Sequence, residues 1–161
     1  MAGSESDVKC TMEISKVTLR EITRETVHDI LRLKVAPEQD NLVAPNSESI
    51  AEAYFEKGAW FRAIYADETP VGFVMTYEDH ERPFFYLWRY MIDAGHQGKG
   101  YGSKALELLI ERIKNIPNAT EMKLSVVPED GSAISFYEKF GFEDTGEVRD
   151  GEMVFLLKFD R

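Results

Sequence analysis

The residues of this chain best suited to chemistry are Gln97-Gly98-Lys99-Gly100-Tyr101-Gly102-Ser103. Glycines at 98, 100 and 102 let the backbone come close to a ligand and take conformations closed to other residues. Leu106, Leu109, Ile110 and Ile113 follow at helical spacing. A helix starting there points its unpaired N–H groups and a partial positive charge back at the loop. Together these features make a site for pyrophosphate. The other chemistry-bearing types are more scattered. His28, His80 and His96 lack metal-ligand spacing, and no cysteine cluster accompanies them, so no metal is implied.

Two common phosphate loops fit poorly. The chain has no Gly-Lys-Ser or Gly-Lys-Thr, which a P-loop requires. The glycines are spaced G-x-G-x-G, and a hairpin precedes the strand before them. A dinucleotide fold instead wants G-x-G-x-x-G after the first strand of a parallel unit.

The elements that must position this loop can be read from pattern. Residues 84–92, Phe-Phe-Tyr-Leu-Trp-Arg-Tyr-Met-Ile, are rich in strand formers and lead into it. Residues 103–116 form the helix after it, broken by Pro117 and Asn118. Upstream, residues 13–22 read as a strand and Thr23 or Thr26 caps a helix to Leu33. A long loop covers 36–49, and a second helix covers 49–57, closed by Gly58. Residues 60–66 and 71–77 form a hairpin about the turn 67–70. Residues 78–83 are an acidic loop. Downstream come a strand at 121–127, a short helix at 132–140 ending at Gly141, and strands at 143–148 and 153–159 about a turn at Asp150-Gly151. The order β-α-α-β-β-β-α-β-α-β-β is that of a single mixed α/β (α+β) domain over residues 13–161. Residues 1–12 are a small, polar segment expected to be flexible.

Length and composition agree. The 161 residues, 43% hydrophobic, suffice for one domain with a real core. A formal net charge of −10 weighs against nucleic acid, whose binders neutralise phosphates. It suits a cationic substrate instead. Cys10 is the only cysteine, so no intrachain disulfide forms, and its polar N-terminal setting argues against a catalytic thiol. No apolar run resembles a membrane span or a signal-peptide core. The expected location is cytoplasmic, with no membrane partner. The apolar run 153–157 serves either the core or a homodimer interface.

Gln97, Gly100 and Gly102 meet the pattern Q/R-x-x-G-x-G/A, and residues 133–142 meet A-x-x-x-Y-x-K-x-G-F at a typical distance downstream. With the element order, these motifs resemble the GNAT superfamily of acyl-CoA N-acyltransferases from about Thr18 onward. Within it, Arg89-Tyr90-Met91-Ile92-Asp93, His96 to Gly100 and residues 46–54 are most similar to the bacterial spermine/spermidine acetyltransferase type. The resemblance implies a mostly antiparallel central sheet flanked by helices, with a splayed strand at the coenzyme A site. It implies acetyl-CoA as cosubstrate, no metal, and a small cationic amine as acceptor, a polyamine first. The alternatives are an aminoglycoside, an amino acid or a protein N-terminus, or a catalytically silent module that only binds coenzyme A. Loop N–H groups from Gln97, Gly98, Lys99, Gly100, Tyr101, Gly102 and Ser103 would hold the pyrophosphate. Backbone groups of Tyr90, Met91 and Ile92 would bind the pantetheine as an added strand does. One N–H there would polarise the acetyl carbonyl.

Tyr137 matches the family's tyrosine that protonates the departing thiolate; the competing reading is an aromatic anchor with Ile134 and Phe140. Asp130 stands where many relatives place an asparagine that contacts the cofactor. Aspartate loses the amide donors, and it could simply cap the helix that follows. An acidic residue often precedes the splayed segment in polyamine enzymes, but here Trp88 and Arg89 stand there. The proton acceptor is left open among Glu38, Asp40, Glu78, Asp79, Glu81 and Asp93. Many relatives pair as dimers, and the same is expected here.

Overall fold

The computed structural model describes residues 15–40 and 42–160; the expectations for residues 1–14, including Cys10, lie outside them. The elements run in the expected order. They are β1 (Val17–Arg20), α1 (Val27–Leu31), α2 (Asn46–Phe55), β2 (Ala59–Ala66), β3 (Thr69–Asp79), β4 (Phe84–Ile92), α3 (Tyr101–Lys114), β5 (Glu121–Val126), α4 (Gly131–Glu138), β6 (Glu143–Arg149) and β7 (Glu152–Lys158). Short 3-10 turns cover Pro37–Gln39 and Ala94–His96. The strands form one sheet in the order β1-β2-β3-β4-β5-β7-β6. Every neighbouring pair is antiparallel except β4 with β5.

The alternation of strand side chains makes two apolar layers, one on each face of the sheet. On one face Val74, Phe85, Leu87 and Leu124 cluster with Leu106, Leu109 and Ile113 of α3, and α4 adds Phe136 and Tyr137 at the margin. On the other, Phe73, Met75 and Met91 cluster with Ile30 of α1 and with Ile50 and Ala53 of α2. Each fully buried side chain of this size contributes roughly 1.5–3 kcal/mol. Between them the layers hold the middle strands firmly, which the site requires.

Several boundaries differ from the sequence reading, each for a local reason. Thr26 sits at the N-cap of α1, but its hydroxyl accepts from the Thr23 N–H at 2.9 Å instead of capping the helix. The second helix starts three residues early, at Asn46, because that side chain is buried and donates to the Ile30 carbonyl at 2.9 Å. The acidic loop is shorter than expected. Glu78 and Asp79 continue β3, paired with Phe85 and Phe84. β7 lies between β5 and β6, so both of its edges are used within the chain.

Glu78 is buried, and its carboxylate is fully engaged. Arg112 of α3 donates at 2.7 and 3.1 Å, Thr76 at 2.5 Å, and the His80 ring lies 2.9 Å away. The Arg112 guanidinium in turn lies over the Trp60 ring, 3.7 Å from its centroid. Burial pushes the Glu78 carboxyl up, but hydrogen bonds from Arg112, Thr76 and His80 outweigh it and hold the carboxyl below its usual range. The group pins the far end of α3 to the sheet.

Candidate active site

β4 and β5 pair only at Tyr86 with Lys123 and Leu87 with Leu124. The Tyr86 hydroxyl donates to Ser125 Oγ at 2.7 Å across the point of divergence. Beyond it, the β5-facing edge of β4 has no partner strand, so backbone donors and acceptors from Trp88 to Ile92 open on the gap. The gap is also prepared from the other side of β4. Met75 of β3 pairs with Arg89, but Thr76 pairs with Leu87, leaving Trp88 as a bulged residue.

The cleft so formed has a volume of about 900 Å³. Of the residues expected at the cofactor site, Tyr90, Met91, Ile92, Gln97, Gly98, Gly100, Tyr101, Gly102, Ser103 and Asp130 all line it, as does Tyr137. Lys99 does not; its side chain is exposed.

The glycine loop carries the features that a pyrophosphate needs. Gly98 and Gly100 take φ of +78° and +82°, and a Cβ at either would meet nothing within 4 Å. Conformation, not lack of space, therefore requires glycine at both. Gly100 is the N-cap of α3 and offers no side-chain cap. From Gln97 to Ser103 no backbone N–H has an acceptor among the described residues; the first to find one is Lys104, bonded to the Gly100 carbonyl at 3.2 Å. That row of free donors at a 14-residue helix's N-terminus fits a pyrophosphate. Gly102 differs. A Cβ there would meet Ile92 at 3.4 Å and the Tyr90 hydroxyl at 3.7 Å, ordinary contact distances, so α3 packs close on β4 without requiring glycine at this position. Tyr90 closes that contact by donating to the Gly102 carbonyl.

Side chains brace the loop. Gln97 Nε2 donates to the Ile92 carbonyl and to Gln39 Oε1, both at 2.9 Å. Asp93 accepts from the N–H groups of Lys34 at 2.9 Å and Gly95 at 3.2 Å, and His96 Nδ1 lies 3.1 Å away. Burial pushes its carboxyl up, but the hydrogen bonds from Lys34, His96 and Gly95 prevail and hold it below the usual range. Asp93 thus stays ionised with both oxygens engaged. It joins the loop after α1 to the glycine loop and is not free to take a proton.

Tyr137 packs its ring edge-on against Phe136 and Phe142, with centroids 5.2 and 5.8 Å away. Its hydroxyl has no hydrogen-bond partner among the described residues. Burial, aided by the charge of Asp130, raises its pKa well above that of a free tyrosine, so it stays protonated at neutral pH as an acid must. Asp130 is the N-cap of α4, accepting from the Ala133 N–H at 3.1 Å and the Ser132 hydroxyl at 3.0 Å. Its capping role is therefore present, and the cleft still reaches it.

Of the six carboxylates considered as proton acceptors, only Asp40 lines the cleft. Glu48 and Glu152 do so as well, and Arg89 joins them. Sequence spacing missed all three, because they come from α2, the start of β7 and the bulged part of β4. The pairing of Val126 with Met153, which sets Glu152 opposite Val127, was the one signal that could have placed it. Among the described residues no group of acidic, histidine or cysteine side chains could hold a metal ion, and no helix is long and apolar enough to cross a membrane.

Comparison with known proteins fits this geometry. The chain is 29% identical over 150 residues to the spermine/spermidine N(1)-acetyltransferase of Bacillus subtilis, covering 87% of this chain and 97% of that one. A shorter stretch of 70 residues, 42% of this chain and 35% of the relative, is 36% identical to an aminoglycoside N(6')-acetyltransferase type 1 of Klebsiella pneumoniae. The fold matches the PaiA N-acetyltransferase of Thermoplasma acidophilum, solved with coenzyme A, with a TM-score of 0.67 and 18% identity over 89% of this chain and 99% of that one. The pattern of the acetyltransferase (GNAT) family matches residues 24–142. That span is most of the chain, so the protein belongs to the GNAT family and is an acetyl-CoA-dependent N-acetyltransferase.

Proposed function

We propose that the acceptor is a polyamine of the spermidine and spermine class, acetylated by direct attack in a ternary complex. The observation that carries the reaction is the split between β4 and β5 with the unpartnered Tyr137 hydroxyl opening on the same cleft. The pyrophosphate of acetyl-CoA would rest on the donors from Gln97 to Ser103, and the pantetheine on the free edge of β4 at Tyr90, Met91 and Ile92. The amine nitrogen attacks the thioester carbonyl, the carbon–sulfur bond breaks, and Tyr137 protonates the leaving thiolate. The amine gives up its proton to water or to a carboxylate of the cleft. No cysteine in the described residues offers a covalent acetyl-enzyme route.

The polyamine is supported by likeness over 87% of the chain to a relative named for spermine and spermidine. It is also supported by the net charge of −10 and by Asp40, Glu48 and Glu152 in the cleft. An acidic cleft concentrates a polycation, and salt screens that attraction. The test measures coenzyme A release with spermidine, spermine, an aminoglycoside and a peptide N-terminus at two ionic strengths. Spermidine and spermine should be preferred, with KM values that rise with salt more than that of a singly charged amine. A preference above about tenfold for the peptide or the aminoglycoside, ~1.4 kcal/mol in transition-state stabilisation, refutes the polyamine and leaves the acetyltransferase standing.

A further inference from the structure

Arg89 is the one lysine or arginine among the described residues that line the cleft. Its guanidinium is under-used. Nε is buried without a hydrogen-bond partner, alone in this among the described side-chain atoms. Nη1 donates to the Trp88 carbonyl at 3.3 Å and Nη2 to Glu52 Oε2 at 3.4 Å, both long for such bonds. A guanidinium offers five donors in a rigid fork that matches a carboxylate by two parallel bonds. One long contact to Glu52 is not that fork, and pairs of this kind contribute little. The Trp88 ring, its centroid 5.4 Å from Cζ, steadies the group without satisfying it. The Arg89 side chain is 21% exposed, so its charge is partly stripped of water and its free donors favour an anionic partner.

The rest of the cleft has the opposite sign, with Asp40, Glu48 and Glu152 on its walls and Glu52 beside Arg89. A pure polycation complements the carboxylates and gains nothing from Arg89. A molecule with both ammonium and carboxylate groups complements both. We propose that the enzyme takes a second class of acceptor beside polyamines: amines that also carry a carboxylate, specifically diamino acids, with Arg89 binding the carboxylate. The bond changes are those already given. Nitrogen bonds to the acetyl carbon, the carbon–sulfur bond breaks, the amine proton leaves to water or a cleft carboxylate, and the thiolate leaves protonated. This inference goes beyond the polyamine reading and does not depend on it.

The test uses probes that differ only at the carboxylate. Lysine, lysinamide and cadaverine are assayed by coenzyme A release with the wild-type enzyme, Arg89→Met and Arg89→Lys. The wild type should use lysine with a kcat/KM about 10–100-fold above that for lysinamide, as a charge-assisted pair predicts. Arg89→Met should lower the lysine-to-cadaverine ratio by about the same factor, chiefly through the KM for lysine. Arg89→Lys, which keeps the charge but loses the fork, should recover part of it. Absence of lysine turnover, equal use of lysine and lysinamide by the wild type, or parallel loss of lysine and cadaverine in Arg89→Met overturns the proposal. The wild-type comparison holds whether or not a variant folds. Lysine turnover without spermidine turnover would refute the polyamine reading and leave this one intact.

Discussion

On the side of the cleft formed by α3 and the glycine loop, the groups proposed to act are main-chain: N–H groups from Gln97 to Ser103 and the open edge of β4. On the other side they are side chains drawn from distant segments: Asp40 after the Pro37–Gln39 turn, Glu48 on α2, Arg89 on β4 and Glu152 on β7. Main-chain groups are the same in every residue, so the first side depends on conformation and tolerates change only where φ permits. The second depends on which charges are present. A fold can keep its cosubstrate and still change its acceptor, because the two jobs use different parts of the chain.

The largest expected effects come from breaking the main-chain side. Gly100→Glu imposes a left-handed backbone on a residue that resists it, costing about 1–2 kcal/mol, and sets an anion where the proposed pyrophosphate site lies. Isothermal titration with acetyl-CoA should show affinity lost by at least ~100-fold in a protein that still folds. Unchanged affinity would remove the loop from the site. Next, Tyr137→Phe keeps the ring contacts with Phe136 and Phe142 and removes only the proton. Turnover should fall roughly 10²–10⁴-fold with little change in acetyl-CoA affinity. Because its pKa is raised, the wild-type rate should show no loss assignable to Tyr137 below pH ~10, where a free tyrosine ionises. A variant within a few-fold of wild type would make Tyr137 a packing residue.

The third test sharpens the comparison from outside the cleft. Glu78→Gln weakens the buried pair with Arg112 and should cost about 3 kcal/mol, roughly 6–12 °C in Tm for a domain of this size, with turnover at 25 °C nearly unchanged. The sign with pH follows from the depressed carboxyl. The Glu78 contribution is fully present above its unfolded pKa of ~4.3 and is lost as pH falls through the lower, folded value. The variant should lack that acid limb in thermal melts. A large drop in turnover without loss of Tm would mean Glu78 acts at the site after all.

What could be read in the sequence follows the same division. β4 spans residues 84–92 as its composition predicts, and the glycine loop leads into its helix, because strand-forming composition and glycine spacing are local signals. Polar burial left no such signal. Asn46 extends α2 through a bond to Ile30, 16 residues away, and Glu78 is buried through Arg112, 34 residues away. The six carboxylates proposed as proton acceptors were chosen by position in loops, and only Asp40 reached the cleft. Which side chains face one another across a split sheet is decided by strand order and register, which a linear pattern does not carry.

The bulge at Trp88 has a consequence of parity. Up to Leu87, odd-numbered residues of β4, Phe85 and Leu87, face the α3 layer; after it the even-numbered Tyr90 and Ile92 do, while Met91 joins the opposite layer. One extra residue thus re-phases the strand at the point where it leaves β5. Straightening the strand with Trp88 kept in the ladder would turn Arg89 toward α3 and Tyr90 toward α2, exchanging a guanidinium for the phenol that is tied to Gly102. Leu87 and Arg89 hold their faces only while they pair with the adjacent Thr76 and Met75. Along this strand the backbone path is as constrained as the side chains, and evolution can respell the far wall of the cleft freely but cannot iron out the bulge around Trp88 without inverting the site.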